Sequence, residues 1–301
     1  MTKSTTKFSR WEAHDSTTWA FQIFTKYNSE LASFRGAHEA AKLFTYRELG
    51  ARKATWTDPF KNHFPPNKVN IDYYNNLKFW SESYNGFHNW INLSSIMSIS
   101  SHLETYMACV IAIAIDSDPG VLLGASKSID GASVLKHRKQ VPHHLAQHIV
   151  ACTKGTWPQR LSAFEVLFGT CPPEMKKLQK DLEKIRLIRN RFGHAFGRDI
   201  EDAQKHGNLK IEKIEKVSDA TFFKLEKTTR YFVKYIDELL LKNHIGDFEA
   251  VYFYHNIYPL LPKNVNPNQR AQSLKKEIGR IGAGIRGKKY CRELVSYWEV
   301  L

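Results

Sequence analysis

Cysteine is scarce in this chain: four residues in 301 (Cys109, Cys152, Cys171 and Cys291), widely scattered and without a C-x-x-C pair. That pattern excludes a disulfide-stapled scaffold and a cysteine-based zinc site, and the expected setting is a reducing cytoplasm. Long apolar runs are missing too. The best candidate, Met107 to Ile115, gives nine apolar residues between Glu104 and Asp116, against roughly 20 for a membrane-crossing helix, so no membrane span is expected. The opening MTKSTTKFSR has no apolar stretch behind its basic residues, and no secretory signal is expected. Metal-ligand sets are thin: His144 and His148 have the i, i+4 spacing that zinc sites use, with His143 beside them, but no third ligand accompanies them. Neither a metal nor a cofactor is expected. The run Gly282-Ala283-Gly284-Ile285-Arg286-Gly287 matches GxGxxG, yet no strand precedes it, which excludes a dinucleotide fold.

What the chain does have is positive charge. The net charge is +14 and the isoelectric point about 9.5, which points to a polyanionic partner, of which nucleic acid is the commonest. The excess is local. Residues 151–200 carry 10 basic against 5 acidic side chains, and 263–301 carry 9 against 3. The second of these stretches includes Lys275, Lys276, Lys288 and Lys289, read here as contacts to the phosphate backbone, with Arg270, Arg280, Arg286 and Arg292 among them.

Three segments repeat apolar residues at steps of three and four, the signature of amphipathic helices in a bundle. The first runs through Ile96, Ile99, Leu103, Tyr106, Val110 and Ile113. The second runs through Leu178, Leu182, Ile185, position 189, Phe192 and Phe196. The third runs from Phe222 to Leu239, with Ser218-Asp219 as its cap. A shorter helix over Trp157–Phe168 ends at Gly169. Between the second and third helices, Leu209, Ile211, Ile214 and Val217 predict a short strand or hairpin. The fold expected is mainly α, an up-and-down bundle over residues 90–245 with a β insertion. An aromatic-rich accessory region (1–89) precedes it and a basic segment (246–301) follows it. Five of the seven tryptophans lie in the first 90 residues and are expected mostly to bury that region's own core.

The second helix carries Arg189-Asn190-Arg191-Phe192-Gly193-His194. A rival Arg–His pair, Arg138 with His143 or His144, crosses Pro142 and has no helix to hold it. Arg189 instead falls within about 20° of Leu178 and Leu182 on a helical wheel, inside the apolar stripe. A guanidinium there is costly unless it is paired or lines a site. His194 lies five residues on, about 140° away round a regular helix. Gly193 and Gly197 are expected to loosen the helix so that the ring swings back.

With this motif, the LEKIRLI that precedes it, the FFKLEKTTRYFVKYIDELLL that follows and the earlier SSIMSISSHLETYMACVIAIAI, residues 90–245 resemble the HEPN superfamily. The resemblance is to its toxin-type and phage-defence ribonuclease domains. It implies a helical bundle that forms a homodimer, with the Arg and His of both protomers facing one cleft. It also implies a metal-independent endoribonuclease of a toxin or antiviral-defence system, with an antitoxin or defence-system partner. Arg189, Asn190 and His194 match the RN-x-x-x-H motif position by position, and Glu104 on the opening helix is the candidate to orient Arg189. A non-catalytic RNA- or nucleotide-binding module is the alternative.

These residue types suit RNA cleavage. The ribose 2′-OH is the nucleophile, histidine's pKa of about 6.5 suits proton transfer, and arginine's planar fork stabilises the phosphorane. Asn190 would position a partner, and Arg191 would grip a flanking phosphate.

Overall fold

The helical periodicity of the sequence is realised throughout. A computed structural model describes residues 8–64, 73–137, 145–195, 213–261, 265–282 and 286–301, with His194 and Ala195 described by their backbone alone. The described residues contain ten α-helices: α1 (Trp19–Ala51), α2 (Leu77–Ser117), α3 (Gly131–His137), α4 (Leu145–Thr153), α5 (Trp157–Phe168), α6 (Pro173–Ala195), α7 (Asp219–Leu240), α8 (Phe248–Ile257), α9 (Pro267–Ile281) and α10 (Lys288–Val300). No strand occurs among them. Leu209 and Ile211 of the expected β insertion lie outside the described residues. Residues 213–218 have no regular structure, and side chains hold that stretch in place. Asn89 Oδ1 accepts from the Val217 amide at 2.8 Å, and Asn92 Nδ2 donates to the Val217 carbonyl at 2.8 Å. Two asparagines thus satisfy the backbone groups that a neighbouring strand would otherwise pair.

Helix ends follow local chemistry. Thr156 and Gln159 form a capping box at the start of α5, and Gly169 ends it in a left-handed conformation, φ 74°. Ser218 Oγ accepts from the Thr221 amide at 3.2 Å, which caps α7. The GxGxxG run is a helix junction: Gly282 is the left-handed C-cap of α9 and Gly287 the N-cap of α10. Gly246 is required twice over. Its φ is 55°, and a Cβ there would meet the Arg10 carbonyl oxygen at 2.2 Å.

The chain divides into two compact units. One comprises residues 1–25, 103–180 and 229–301; the other comprises 26–102 and 181–228. The boundary expected at residue 90 therefore falls inside a continuous helix, α2. In the first unit the interior is built from Leu103, Met107, Val110 and Ile111 of α2, Trp157 and Phe164 of α5, Phe232 and Ile236 of α7, and Leu274, Leu294 and Trp298 of the C-terminal helices. Trp157 meets Phe232 edge to face at 5.0 Å. Buried Asp237 is paired: its carboxylate accepts from Thr18 Oγ1 at 2.5 Å and from Tyr106 OH at 3.0 Å. Both Glu249 carboxylate oxygens receive the Trp19 amide, and burial pushes that carboxyl up to about 8.

The second unit buries Leu93, Ile96 and Ile99 of α2, Leu182, Ile185, Ile188 and Phe192 of α6, and Phe222 and Leu225 of α7. A satellite core of Leu49, Phe60, Leu77 and Trp80 lies under Tyr46, Phe64 and Tyr84. Of the five early tryptophans only Trp80 is buried: Trp11 and Trp19 are half-buried, and Trp56 and Trp90 are exposed, as are Phe34, Phe44, Phe79 and Phe87.

α2 corrects one expectation. Over 41 residues it holds an 18-residue window of mean hydropathy 1.4, long and apolar enough by length and composition to cross a membrane. Serines and the single charge of Glu104 interrupt the apolar letters without lowering the average enough. Ten of its apolar residues from Leu93 to Ile115 are no more than 2% exposed, whereas Met97, Ala108, Ala112 and Ile113 are half-buried and Cys109 is exposed.

Candidate functional site

The motif sits on the last two turns of α6. The buried face of this helix reads Met175, Leu182, Ile185, Ile188 and Phe192. Ile188 therefore takes the inward position beside Arg189, and Arg189 is half-buried rather than sealed. Its Nη1 donates to Asn190 Oδ1 at 3.2 Å. Among the described residues no carboxylate lies within ion-pairing distance of it, whereas Arg186 pairs with Glu183 at 2.5 Å one turn earlier. Arg191 is 55% exposed and reaches Glu215 at 3.4 Å.

The expected loosening at Gly193 does not occur, because α6 continues to Ala195. A Cβ at Gly193 would make only an ordinary contact, with Met97 Cε at 3.9 Å, so neither space nor φ demands glycine there. Arg189 and His194 are thus about 140° apart round one regular helix. Gly197 and Phe196 lie outside the described residues.

Glu104 is engaged elsewhere. Its carboxylate accepts from Arg160 Nη2 at 3.2 Å and Lys154 Nζ at 2.9 Å. Arg160 is itself buried, so this pair neutralises a guanidinium in the first unit, and the orienting role is corrected to a structural one. The tail also separates into two classes. Lys275, Lys276, Lys288 and Lys289 are exposed. Arg286 is buried and bound to Asp15, and Arg270 is paired with Glu299 at 2.7 Å. Those two arginines belong to the packing of α9 and α10 and leave the expected phosphate surface. Of the zinc-like histidines, His143 and His144 lie outside the described residues, as does Arg138 of the rival motif. Among the described residues no cluster of three His, Cys, Asp or Glu side chains is placed to share a cation.

A polar cluster that the motif search did not find lies in the second unit. Arg35 of α1 donates to Asn92 Oδ1 at 2.7 Å, Ser95 Oγ at 3.1 Å and Asp219 Oδ1 at 3.2 Å, and its guanidinium lies over the Phe222 ring. His88 Nε2 is 3.0 Å from Asp219 Oδ2, and His88 Nδ1 is 3.3 Å from His38 Nε2. Burial raises the Asp219 carboxyl, but hydrogen bonds from His88 and Asn92 and the neighbouring positive charge outweigh it and hold the carboxyl below its usual range. No spacing rule links positions 38, 88 and 219; only the cap role of Asp219 is visible in sequence.

The cluster adjoins the motif within this unit. Trp90 meets Phe192 at 6.4 Å, and Glu215 is held both by Arg191 through its side chain and by Asn89 through its carbonyl. No protein-family model, curated protein or solved structure matches the chain.

Proposed function

We propose that this protein is a metal-independent endoribonuclease of the HEPN type, cleaving RNA by attack of the ribose 2′-OH on the adjacent phosphate. The observation that carries the reading is Arg189. It is half-buried in line with the apolar face of α6, braced by Asn190, and without a carboxylate partner among the described residues. A guanidinium held this way has donors to spare for a phosphate, and its planar fork matches the equatorial oxygens of a phosphorane. His194 transfers the proton, Asn190 positions Arg189, and Arg191 grips a flanking phosphate. Arg189 and His194 stand on different sides of one helix, so the cleft is composite: a homodimer supplies two imidazoles, one as base and one as acid. The products are a 2′,3′-cyclic phosphate and a 5′-hydroxyl. The biological setting in this reading is a toxin or antiviral-defence effector with a cognate partner.

The test is incubation of purified protein with RNA in EDTA, followed by mapping of the cut ends. Cleavage is expected to survive chelation and to stop when the 2′-OH at the scissile nucleotide is replaced by 2′-deoxy or 2′-O-methyl. Cutting of the modified strand would rule out the internal nucleophile, and binding without any cutting would favour a non-catalytic RNA-binding module.

The tail supplies a second expectation. Replacing Lys275, Lys276, Lys288 and Lys289 with Ala should weaken RNA binding and flatten its salt dependence. On a duplex the slope should fall by up to about 0.9 for each phosphate that a lysine no longer neutralises. kcat at saturation should be unchanged, because interactions made equally in ground and transition states alter KM alone. An unaltered salt slope would remove these lysines from the RNA path.

A further inference from the structure

Phe87 and Trp90 stand one turn apart on α2, 48% and 44% exposed. Their rings are nearly parallel, at 13°, with centroids 6.0 Å apart. Phe87 also meets the His38 imidazole edge-on at 5.4 Å, while Trp90 leads to Phe192 of the motif helix. Both rings are thus open to solvent beside the motif helix.

The hydrogen-bond chain behind His38 decides what that ring offers. Asp219 is ionised and can only accept, so His88 Nε2 carries its hydrogen. His88 Nδ1 and His38 Nε2, 3.3 Å apart, share the next hydrogen, so the carboxylate and the two rings form one chain. His38 Nδ1 is the outer end of that chain. It has no hydrogen-bond partner among the described residues and is not among the buried partnerless atoms, so it reaches solvent. Burial, and then the neighbouring His88, push the His38 imidazole below its usual range. Tying α1, α2 and α7 together needs only Arg35, His88 and Asp219. His38 extends the chain to the surface.

We infer that His38, Phe87 and Trp90 form a subsite for one unpaired nucleotide of single-stranded RNA, next to the Arg189–His194 motif. The base stacks on the Phe87 and Trp90 rings, and His38 Nδ1 makes one hydrogen bond to the nucleotide, at a base edge or at the ribose 2′-OH. Arg191, exposed one residue from Phe192, offers a cation to the strand between the two sites. A duplex, whose bases have no free face, does not fit. The inference rests on the ribonuclease reading for its choice of ligand and neighbouring site.

Binding of fluorescent hexamers by the full chain tests it, measured in the Arg189→Ala background so that RNA stays intact. Phe87→Ala should lower affinity for single-stranded RNA by about tenfold and leave duplex RNA within about twofold. His38→Gln, which cannot present the same ring nitrogen, should lower it by about three- to tenfold. A loss confined to ribose hexamers assigns the hydrogen bond to the 2′-OH; an equal loss on deoxyribose hexamers assigns it to the base. With Arg189 restored, both variants should raise KM and keep kcat. Phe87→Leu retains apolar volume without the aromatic face and should behave as Phe87→Ala, so a folding defect in the alanine variant would be recognised by its thermal midpoint. Unchanged single-strand affinity in folded Phe87→Leu and His38→Gln, or an equal loss on duplex, overturns the subsite even if cleavage proceeds. Binding that depends on Phe87 and His38 in a protein that cuts no RNA overturns the ribonuclease reading and leaves the subsite standing.

Discussion

On the ribonuclease reading, replacing Arg189 with Ala is expected to lower RNA cleavage by about 10²- to 10³-fold while helix content, thermal midpoint and oligomeric state stay as they were. The size follows from what the side chain would do: removal of one preorganised donor to a developing oxyanion costs about 10²–10³ in rate. The stability of the chain should scarcely notice, because Arg189 is half-buried and its partner among the described residues is only the neighbouring Asn190. His194→Ala should show a loss of the same order. Mixed dimers of wild type and His194→Ala separate two arrangements. Along a regular α6 the two positions diverge by about 140°, so one helix does not bring Arg189 and His194 together. A shared cleft lacking one imidazole should cut far more slowly than half the wild-type rate. A rate of one half would show that each protomer works alone, and a fully active monomer would end the composite-site reading.

Arg10→Ala is expected to produce the largest loss of stability, about 3 kcal/mol, with cleavage chemistry untouched. Arg10 is only 2% exposed. Its Nε donates to Asp130 at 2.8 Å, Nη1 to Ser117 Oγ at 2.6 Å and Nη2 to the Ser117 carbonyl at 2.7 Å. Breaking a buried ion pair costs about 3–5 kcal/mol, since the remaining partner loses its compensation. The low end applies because Asp130 is 31% exposed and also accepts from Tyr297 OH and the Ala132 amide. The thermal midpoint should fall by about 6–12 °C. Asp130→Asn, which keeps an acceptor for Arg10, should lose less. An unchanged midpoint in Arg10→Ala would show that the hydrogen bonds only repay the desolvation of the guanidinium, which burial also drives toward a lower pKa.

Local chemistry in the sequence determined a good deal of this protein. The Trp157–Phe168 helix appears with the bounds its caps imply, because Thr156, Gln159 and Gly169 act on their own neighbours. The same holds for the start of α7 at Ser218-Asp219, and for most of the expected faces of α2 and α6, although Ile113, Leu178 and position 189 are only half-buried. The candidate motif was legible for that reason too: Arg189 stands out only against the apolar period around it.

Everything that depended on distant partners was decided by tertiary structure. Position 188 rather than 189 is the buried one, because a wheel drawn at about 100° per residue cannot say how neighbouring helices sit against the stripe. Glu104 serves Arg160, 56 residues away, and Arg286 serves Asp15, 271 residues away. A charge read on its own helix carries no record of such a partner. The Asp219–His88–His38 chain gathers three helices whose residues share no spacing. Periodicity reports which side of a helix is apolar; which polar group waits on the other side is fixed only when the helices pack, since buried charges and hydrogen-bond donors take whichever partner the fold brings within about 3 Å.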